Sequence, residues 1–487
     1  EAVADWLPPA EGAWAGAPQP RLARADYDAA LAKVQALIAA GDIYQANLTL
    51  RAEVKTVGHP LALYAGLRAR ARAGFGGVVW TGTDWLLSLS PELFFAVKDG
   101  RVTTKPMKGT AARASDAAVD AQRVQALRAD AKQRAENLMI VDLLRNDLSR
   151  VAEPGSVAVP DLFHVESYPT VHQMISTVTA RMAKGRGVPD LLRAIYPCGS
   201  ITGAPKIRAM EIISDVEPEP RGIYTGSIGR IDANGDAAFN VAIRTLHLAK
   251  GATVATLGLG GGIVADSQVD EEWAECLAKG RFVADPRRFD LIETMLFDPE
   301  RGMPLLNRHL DRLQASADAF GFVLDRHAAR NLLQAATFGL AAPKRIRLLL
   351  SQHGQMAVEA AELPAPTAGP VEVRLADLPV ASDDFRLRHK TTDRAFYDQA
   401  RLAAGSFEVA FVDRHGFLTE GSFTHIFVER DGHLLTPPLC QGILPGVLRA
   451  ELVACGRAAE AMLTPKDLAG GFFIGNALRG LMPALLS

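Results

Sequence analysis

Lys108 lies between Met107 and Gly109 in "KPMKGT", after a strand-like run, where an ammonium has apolar neighbours. Half-buried neighbours such as Met107 and Pro106 disfavour the charged form, so a lysine there asks for a reason. Glu92, in "SPELFF", sits between apolar residues at a strand end. A carboxyl raised by burial there is a proton donor, although a turn-edge glutamate fits the same letters. Glu136 opens "ENLMIVDLL" with Ile140 and Leu143 at i+4 and i+7, so its carboxylate shares a helix face with core residues. A buried carboxylate needs a partner or a metal; a capping or salt-bridged acid is the plainer alternative. Glu272, Glu275 and Lys279 fall at i, i+3 and i+7, which puts both acids and the ammonium on one side of a helix. An exposed ion-pair face has the same spacing. The glycine clusters "TGS" and "GLGGGI" would let backbone amides approach a ligand, a weak signal taken alone.

The elements that must position these groups follow from periodicity. "EAVADWLPPAEGAWAGAPQP" is Pro/Ala/Gly-rich and aperiodic, and residues 1–24 read as a flexible lead-in. Tyr27 to Ala40 has helical spacing, Gly41 stops it, and "IYQANLTL" reads as a strand. Strands follow at "GGVVW", "WLLSLS" and "LFFAV", then one long helical pattern from Ala117 to Arg150 whose second half should be buried. After the helix "VDEEWAECLAKGRFV" comes a polar hinge, "ADPRRFD", and from Phe289 the pattern restarts with new strands and the helix "LNRHLDRLQASADAFGF". The predicted domains are therefore 25–284 and 285–487.

A chain of 487 residues, 48% hydrophobic and 22% charged, can bury large cores. Its formal net charge of -2 carries no basic excess of the kind that nucleic acid or an anionic membrane needs. Cys198, Cys276, Cys440 and Cys455 are widely spaced, which indicates neither a disulfide framework nor a zinc site and suits a reducing cytoplasm. No apolar run approaches the roughly 20 residues of a membrane span, and no signal peptide opens the chain. The first residue, Glu1, is not a methionine, which suggests a processed or trimmed N-terminus.

"GDIYQANLT", "SPELFF", "KPMKGT", "AENLMIVDLLRNDL", "GSITGAPKIRAMEII", "GIYTGSIG", "FNVAIRTL" and "GGGIVADSQVDEEWAEC" occur in that order. Together they resemble the chorismate-utilising enzymes, the group of anthranilate, aminodeoxychorismate, isochorismate and salicylate synthases. The resemblance implies an α+β fold, a β-sandwich with helices, and a Mg2+-dependent displacement on chorismate. It assigns the metal to Glu136 and Glu275 with Glu272 nearby, and the substrate's two carboxylates to Thr110, Tyr224, Arg244, Gly260, Gly262 and Lys279. An arginine fork and glycine amides suit that anionic cargo. Only 40 residues precede "GDIYQANLT", fewer than in other members, so the domain is expected to be shortened. In "TVHQMIST" the family's usual active-site histidine falls at Gln173, and His172, one place earlier, reads as a satisfied core side chain.

Two positions discriminate within the family. Gln45 stands where water-using members carry a lysine base, so the chain resembles the ammonia users. Lys108 stands where anthranilate synthases usually have a small residue, and matches the aminodeoxychorismate synthase component I pattern with Met107 in place of isoleucine. The implied chemistry is two allylic displacements: Lys108 attacks ring carbon 2 as Glu92 protonates the hydroxyl leaving carbon 4, and ammonia then adds at carbon 4 and expels the lysine. No glutaminase Cys-His-Glu arrangement is visible, so a separate glutamine amidotransferase subunit is the expected ammonia source.

"IETMLF", "RHLDRLQASA", "RHKTTDRAFYD", "GFLTEGSFTHIFV", "TPPLCQGILPGVLR" and "IGNALRGLMP" resemble the class IV pyridoxal-phosphate enzymes, which include branched-chain aminotransferases and aminodeoxychorismate lyase. The resemblance implies that Lys390 forms the Schiff base with pyridoxal 5'-phosphate. Glu420 would face the pyridine nitrogen, and Arg312, Gly446, Val447, Asn476 and Ala477 would bind around the phosphate. Leu448 replaces a common threonine, and "PRRFDL" replaces a glycine-rich approach. Outside its motifs Lys390 would read as a surface lysine. A homodimer through this domain is a further expectation. Consecutive reactions in one chain would turn chorismate into 4-aminobenzoate; the rival is an anthranilate synthase component joined to a branched-chain or D-amino-acid aminotransferase. A degenerate, non-catalytic module is a third reading.

Overall fold

The computed structural model describes residues 6–168 and 171–487. Its contacts divide the chain into two units. One comprises Ala17–Val54 and Gly66–Ala284; the other comprises the described residues through Gly16, Lys55–Ala65 and Asp285–Ser487. No described helix is long and apolar enough to cross a membrane.

In the first unit the helix Arg24–Ala39 buries Tyr27, Leu31 and Val34 at i, i+4 and i+7, and Gly41 ends it in the left-handed region at φ 82°. The strand Gln45–Val57 follows and is buried along its first eight residues. One sheet runs in the order Gln45–Val57, Val254–Ile263, Thr245–Ala249, Asp84–Ser90, Phe75–Trp80. A second runs Gly229–Ile231, Ala237–Asn240, Leu93–Lys98, Arg101–Thr104, Val171–Arg181, Met107–Ala112, with Ala158–Ser167 on the other side of Val171–Arg181. The chain passes from one sheet to the other at Ser90–Pro91–Glu92, so Glu92 stands at that crossing because proline ends the first strand. Phe94, Phe95, Val141, Leu148, Leu191 and Ile195 share one core.

The single helix expected over 117–150 is two, Ala117–Ala129 and Ala131–Ser149. Asp130 breaks it: its backbone is extended, at φ -62° and ψ 113°, and its side chain accepts from Gln133 N as the N-cap of the second helix. That second helix buries Asn137, Ile140, Val141, Leu144, Asp147 and Leu148 and leaves Glu136 half-buried.

The second unit combines an antiparallel meander, Leu291–Phe297, Lys344–Leu350 and Met356–Glu362, with a larger sheet. In that sheet Val371–Asp377 pairs in parallel with Glu408–Val412 and with Gly480–Leu486. The helix Leu306–Phe320 packs Leu310, Leu313, Ala317 and Phe320 into a core with Phe289, Leu348 and Phe385.

The flexible lead-in expected over 1–24 needs correction in its described part; residues 1–5 lie outside the described residues. Ala10–Gly12 forms a 3-10 turn, and Trp14–Ala15 pairs antiparallel with Val57 and Thr56. Trp14 is 4% exposed and sits edge-on to Phe320 at 5.2 Å and Phe289 at 6.4 Å. Burying one indole outweighs the loop-like composition around it, since an aromatic side chain contributes about 1.5–3 kcal/mol when fully removed from water.

Candidate active sites

Strand ends of the first unit bring Lys108, Gln45 and Gly262 together. A Cβ built on Gly262 would lie 2.7 Å from Gln45 Nε2 and 2.8 Å from Lys108 Nζ, so only glycine leaves room for the two side chains. Gln45 is fully buried, and neither its amide oxygen nor its nitrogen has a hydrogen-bond partner among the described residues. Such a group costs about 1–3 kcal/mol unless something is bound there to satisfy it. The Lys108 side chain is 18% exposed, 4.0 Å from Glu136 Oε2. Burial lowers its basicity, the neighbouring Lys279 ammonium adds to that, and Glu136, Glu275 and Glu92 oppose it. The result is an amine poised below the ordinary lysine range.

Glu92 is buried at the sheet crossing. Burial pushes its carboxyl up to about 7, against the opposing pull of the Ser200 hydroxyl, Lys108 and the Met107 amide. Ser200 Oγ donates to Glu92 Oε1 at 2.8 Å. A carboxyl raised to about 7 and an amine of lowered basicity suit opposite and complementary roles, donor and nucleophile.

The acids expected to hold a metal lie around the same amine. Glu272 accepts from Ser267 Oγ at 2.6 Å, and burial raises its carboxyl. Glu275 pairs with Lys279 at 2.7 Å on the more open side of the helix Val269–Gly280, and Lys279 also donates to Gly260 O at 2.8 Å. Glu136, Glu272 and Glu275 supply only oxygen donors, the kind a hard divalent cation takes. Among the described residues no three acid, histidine or cysteine side chains already converge on one point. The carboxylates thus fit an ion shared with a bound anion better than a closed protein cage.

Of the residues expected to bind substrate, Arg244 has its guanidinium 5.9 Å from the Phe282 ring centroid. Among the described residues no carboxylate pairs with it, burial lowers its basicity, and its backbone is held at φ 49°. A non-glycine residue in the left-handed region costs about 1–3 kcal/mol and is found where a side chain must be aimed. Tyr224 is buried beneath Arg51, whose guanidinium lies 5.3 Å from the ring centroid. Its ring fills the space where Gly258 would otherwise carry a Cβ, 2.0 Å from Cγ. A Cβ on Gly260 would strike Leu48 O at 2.7 Å, a close approach between neighbouring strands. Thr110 is exposed and donates to Gln173 Oε1 at 3.1 Å, so the structure does not group it with Lys108 and Gln45. His172, to which the sequence assigns no catalysis, is 1% exposed, with its ring nitrogens bonded to Ser167 Oγ at 2.8 Å and Asp120 at 2.9 Å.

The second unit encloses a cavity of about 600 Å3, and Lys390, Arg312, Glu420, Gly446, Val447, Asn476 and Ala477 all line it. That volume lies within the usual range for a small-molecule site. Burial, reinforced by Arg312, Arg394 and Arg347 and opposed by Glu293, lowers the Lys390 amine to about 7. Glu420 accepts from Tyr397 Oη at 2.5 Å and Leu444 N at 3.1 Å, and burial raises it to about 7. The helix Val447–Ala454 begins at the cavity with Gly446 as its N-cap and no side-chain cap, so its first amides are available to an anion. A Cβ on Gly446 would lie 2.0 Å from His425 Nε2, which explains the glycine. A buried near-neutral amine, a carboxyl at one end and an arginine with open helix amides at another fit pyridoxal phosphate.

Residues 4–285 match the family described as chorismate binding enzyme. The chain belongs to the chorismate binding enzymes. Residues 290–486 of this chorismate binding enzyme match amino-transferase class IV. Its first half is 43% identical over 268 residues to aminodeoxychorismate synthase component 1 of Salmonella typhimurium, covering 55% of this chain and 59% of that protein. It is 42% identical over 261 residues to anthranilate synthase component 1 of Streptomyces coelicolor, covering 53% of this chain and 51% of that protein. Among solved structures, anthranilate synthase component I from Streptococcus pneumoniae superimposes with a TM-score of 0.51 at 33% identity, over 55% of this chain and 59% of that one. The chain therefore spans somewhat over half the length of these relatives.

Several site residues of this chorismate binding enzyme carry no role in the sequence reading. Ser200 lies within "GSITGAP", and only its hydroxyl's contact with Glu92 shows what it does. Glu293 is the E of "IETMLF". It is 1% exposed; its Oε1 accepts from Arg312 Nε at 2.8 Å, and its Oε2 accepts from both Arg312 Nη2 at 2.6 Å and His309 Nδ1 at 2.7 Å. Charged residues inside an apolar strand pattern were the available signal.

Proposed function

We propose that the first unit aminates chorismate at ring carbon 4 and that the second unit eliminates pyruvate from that product, giving 4-aminobenzoate. The observation that carries the reading is the pairing of a half-buried amine of lowered basicity, Lys108, with a carboxyl raised to about 7, Glu92, beside the unpartnered amide of Gln45. In the first displacement the Lys108 nitrogen bonds to ring carbon 2, both ring double bonds move one place (1=2 to 1=6 and 5=6 to 4=5), and the carbon 4–oxygen bond breaks as Glu92 gives its proton to the departing hydroxyl. In the second, ammonia adds at carbon 4, both double bonds move back, the carbon 2–nitrogen bond breaks, and the departing Lys108 amine takes up the proton that the added ammonia gives up. Gln45 supports ammonia as the nucleophile: a neutral amide can orient it but cannot activate water as a lysine base would. Arg244 and Lys279 would hold the substrate's carboxylates. Mg2+, held by Glu136 and Glu275 with Glu272 beside them, would neutralise the ring carboxylate.

In the second unit Arg312 and the amides at Gly446 and Val447 would hold the phosphate of pyridoxal phosphate, with Glu420 facing its pyridine nitrogen. The cofactor would supply an electron sink for the carbanion left when a proton departs. Lys390, with its amine near pH 7, is suited to take that proton from the ring and later return one. Ammonia would come from a separate glutamine amidotransferase subunit.

Incubating the protein with chorismate, an ammonium salt, Mg2+ and pyridoxal phosphate and identifying the aromatic product tests the reading. The expected products are 4-aminobenzoate and pyruvate, lost in Lys108→Ala. Anthranilate instead would favour the rival, an anthranilate synthase component joined to an aminotransferase, and an active Lys108→Ala would overturn the displacement mechanism. Adding a purified glutamine amidotransferase should let glutamine replace the ammonium salt.

A further inference from the structure

The charge of the Lys390 cavity exceeds what the phosphate of a cofactor needs. Six arginines and Lys390 line it against two acids, Asp398 and Glu420. Arg312 is already committed to Glu293 and the phosphate end. Glu420 is raised to about 7 by burial, so it supplies less than a full negative charge near neutral pH.

Two of the remaining cations form one built feature. The Arg401 guanidinium lies 5.9 Å from the Phe423 ring centroid, the Arg479 guanidinium 5.6 Å from that of Phe407, and the two rings meet edge-on at 5.9 Å. Among the described residues Arg401 Nε is buried without a hydrogen-bond partner, and the carboxylate that the Arg401 fork meets is Asp398, at 3.7 Å and mostly exposed to water. Among the described residues Arg479 has no carboxylate partner, and burial lowers its basicity. Its backbone N–H, with that of Leu478, donates to Asn476 Oδ1, which fixes the turn that carries it. On another wall of the cavity, Arg347 of the strand Lys344–Leu350 has a buried, unpartnered Nε and reaches Glu359 only at 3.9 Å. Buried guanidinium nitrogens without partners are costly unless an anion completes them, and stacking on phenyl faces holds a guanidinium's plane ready for a carboxylate.

We infer that Arg401 and Arg479, seated on Phe423 and Phe407, receive a second carboxylate of the substrate, so that the cavity selects dicarboxylates over monocarboxylic amino acids. This rests on the elimination reading above and deepens it, because the product of the amination step carries two carboxylates, whereas a branched-chain or other monocarboxylic amino acid carries one. Arg347 is then free for the other carboxylate. The phenyl rings contribute a flat apolar surface for a six-membered ring bearing the anion.

The test uses the full chain loaded with pyridoxal phosphate and two unreactive probes, isophthalate with two carboxylates and benzoate with one, followed by calorimetry and by the cofactor's visible absorbance. Isophthalate should bind at least tenfold more tightly than benzoate to the wild type. The difference should vanish in Arg479→Ala and in Arg401→Ala and return in part in Arg479→Lys, while the visible spectrum of the loaded cofactor stays unchanged. Equal binding of the two probes by the wild type, or an undiminished preference in both alanine variants, would overturn the assignment. So would loss of the cofactor spectrum in Arg479→Ala, which would place that residue at the cofactor instead. A wild type that prefers isophthalate yet releases no pyruvate from the amination product would instead refute the elimination reading and leave the carboxylate receptor standing.

Discussion

Glu293→Gln is the substitution whose cost follows most directly from geometry. The Glu293 carboxylate, 1% exposed, accepts three hydrogen bonds, two from the Arg312 guanidinium and one from His309 Nδ1. Burial pushes this carboxyl up, but Arg312 and His309 outweigh it and hold it well below the ordinary carboxylate range. Glutamine keeps the shape, removes the charge and turns one acceptor into a donor facing donors. Each hydrogen bond to a charged group is worth about 1.5–3 kcal/mol against about 1 for a neutral one, so three of them predict a loss of about 1.5–6 kcal/mol, a range that brackets the roughly 3–5 kcal/mol for breaking one side of a buried pair. Bound pyridoxal phosphate would offer Arg312 a second anion, so the loss should be smaller in the loaded protein than in the cofactor-free one. The sign with pH follows from the depressed pKa. The carboxylate's contribution is fully present above its unfolded value of 4.5 and is lost as pH falls through the lower folded value. The deficit of Glu293→Gln should therefore be full at neutral pH and narrow in acid. Denaturant unfolding of wild type and variant, with and without pyridoxal phosphate, measures all three. A cofactor-free variant within about 1 kcal/mol of wild type, below the spread expected for a lost buried partner, would refute the reasoning.

Three further outcomes are expected. Trp14→Ala should destabilise the unit containing residues 285–487 by about 3–5 kcal/mol, the cost of emptying a buried aromatic slot, and thermal unfolding of the full chain checks it. Gly262→Ala should cost the fold little, because the groups it would touch at 2.7 and 2.8 Å are ends of flexible side chains, yet it should cut the amination rate at least tenfold by displacing Lys108 and Gln45; an unchanged rate would remove Lys108 from the chemistry. If protonated Glu92 is the acid, the rate at constant free ammonia should fall as pH rises through about 7, and Ser200→Ala, which removes a hydrogen bond favouring the carboxylate, should move that fall upward. A rate that stays flat across neutrality would exclude Glu92 as the donor.

What could be read in advance, and what could not, divides along a physical line. Lys390 and its proposed cofactor-binding neighbours, named from motifs spread over about 160 residues, line one cavity, because such motifs mark strand ends and turns whose backbone geometry admits few residue types. Lys108 and Gln45, also named from motifs, have their side-chain ends beside Gly262, where a Cβ would lie 2.8 and 2.7 Å from them. Long-range partners were not. Nothing local in "IETMLF" says that Glu293 will clasp an arginine 19 residues away, because a strand pattern reports which face a residue takes and not which charge meets it there. The two-helix break at Asp130 was missed because an aspartate inside an apolar period reads equally as a surface residue or as a cap, and the choice depends on tertiary packing. Trp14 was hidden for the opposite reason: composition averaged over Pro, Ala and Gly describes a loop well, and one aromatic side chain is enough to pin that loop when a core of Phe289, Phe320 and Phe385 has a slot for it. The same logic bears on the Arg401 and Arg479 pair. Arg401 and Arg479 stand far apart in the sequence and in different elements, and only the fold stacks both on one pair of phenyl rings, so no local pattern marks together the residues proposed to choose between a dicarboxylate and a simple amino acid.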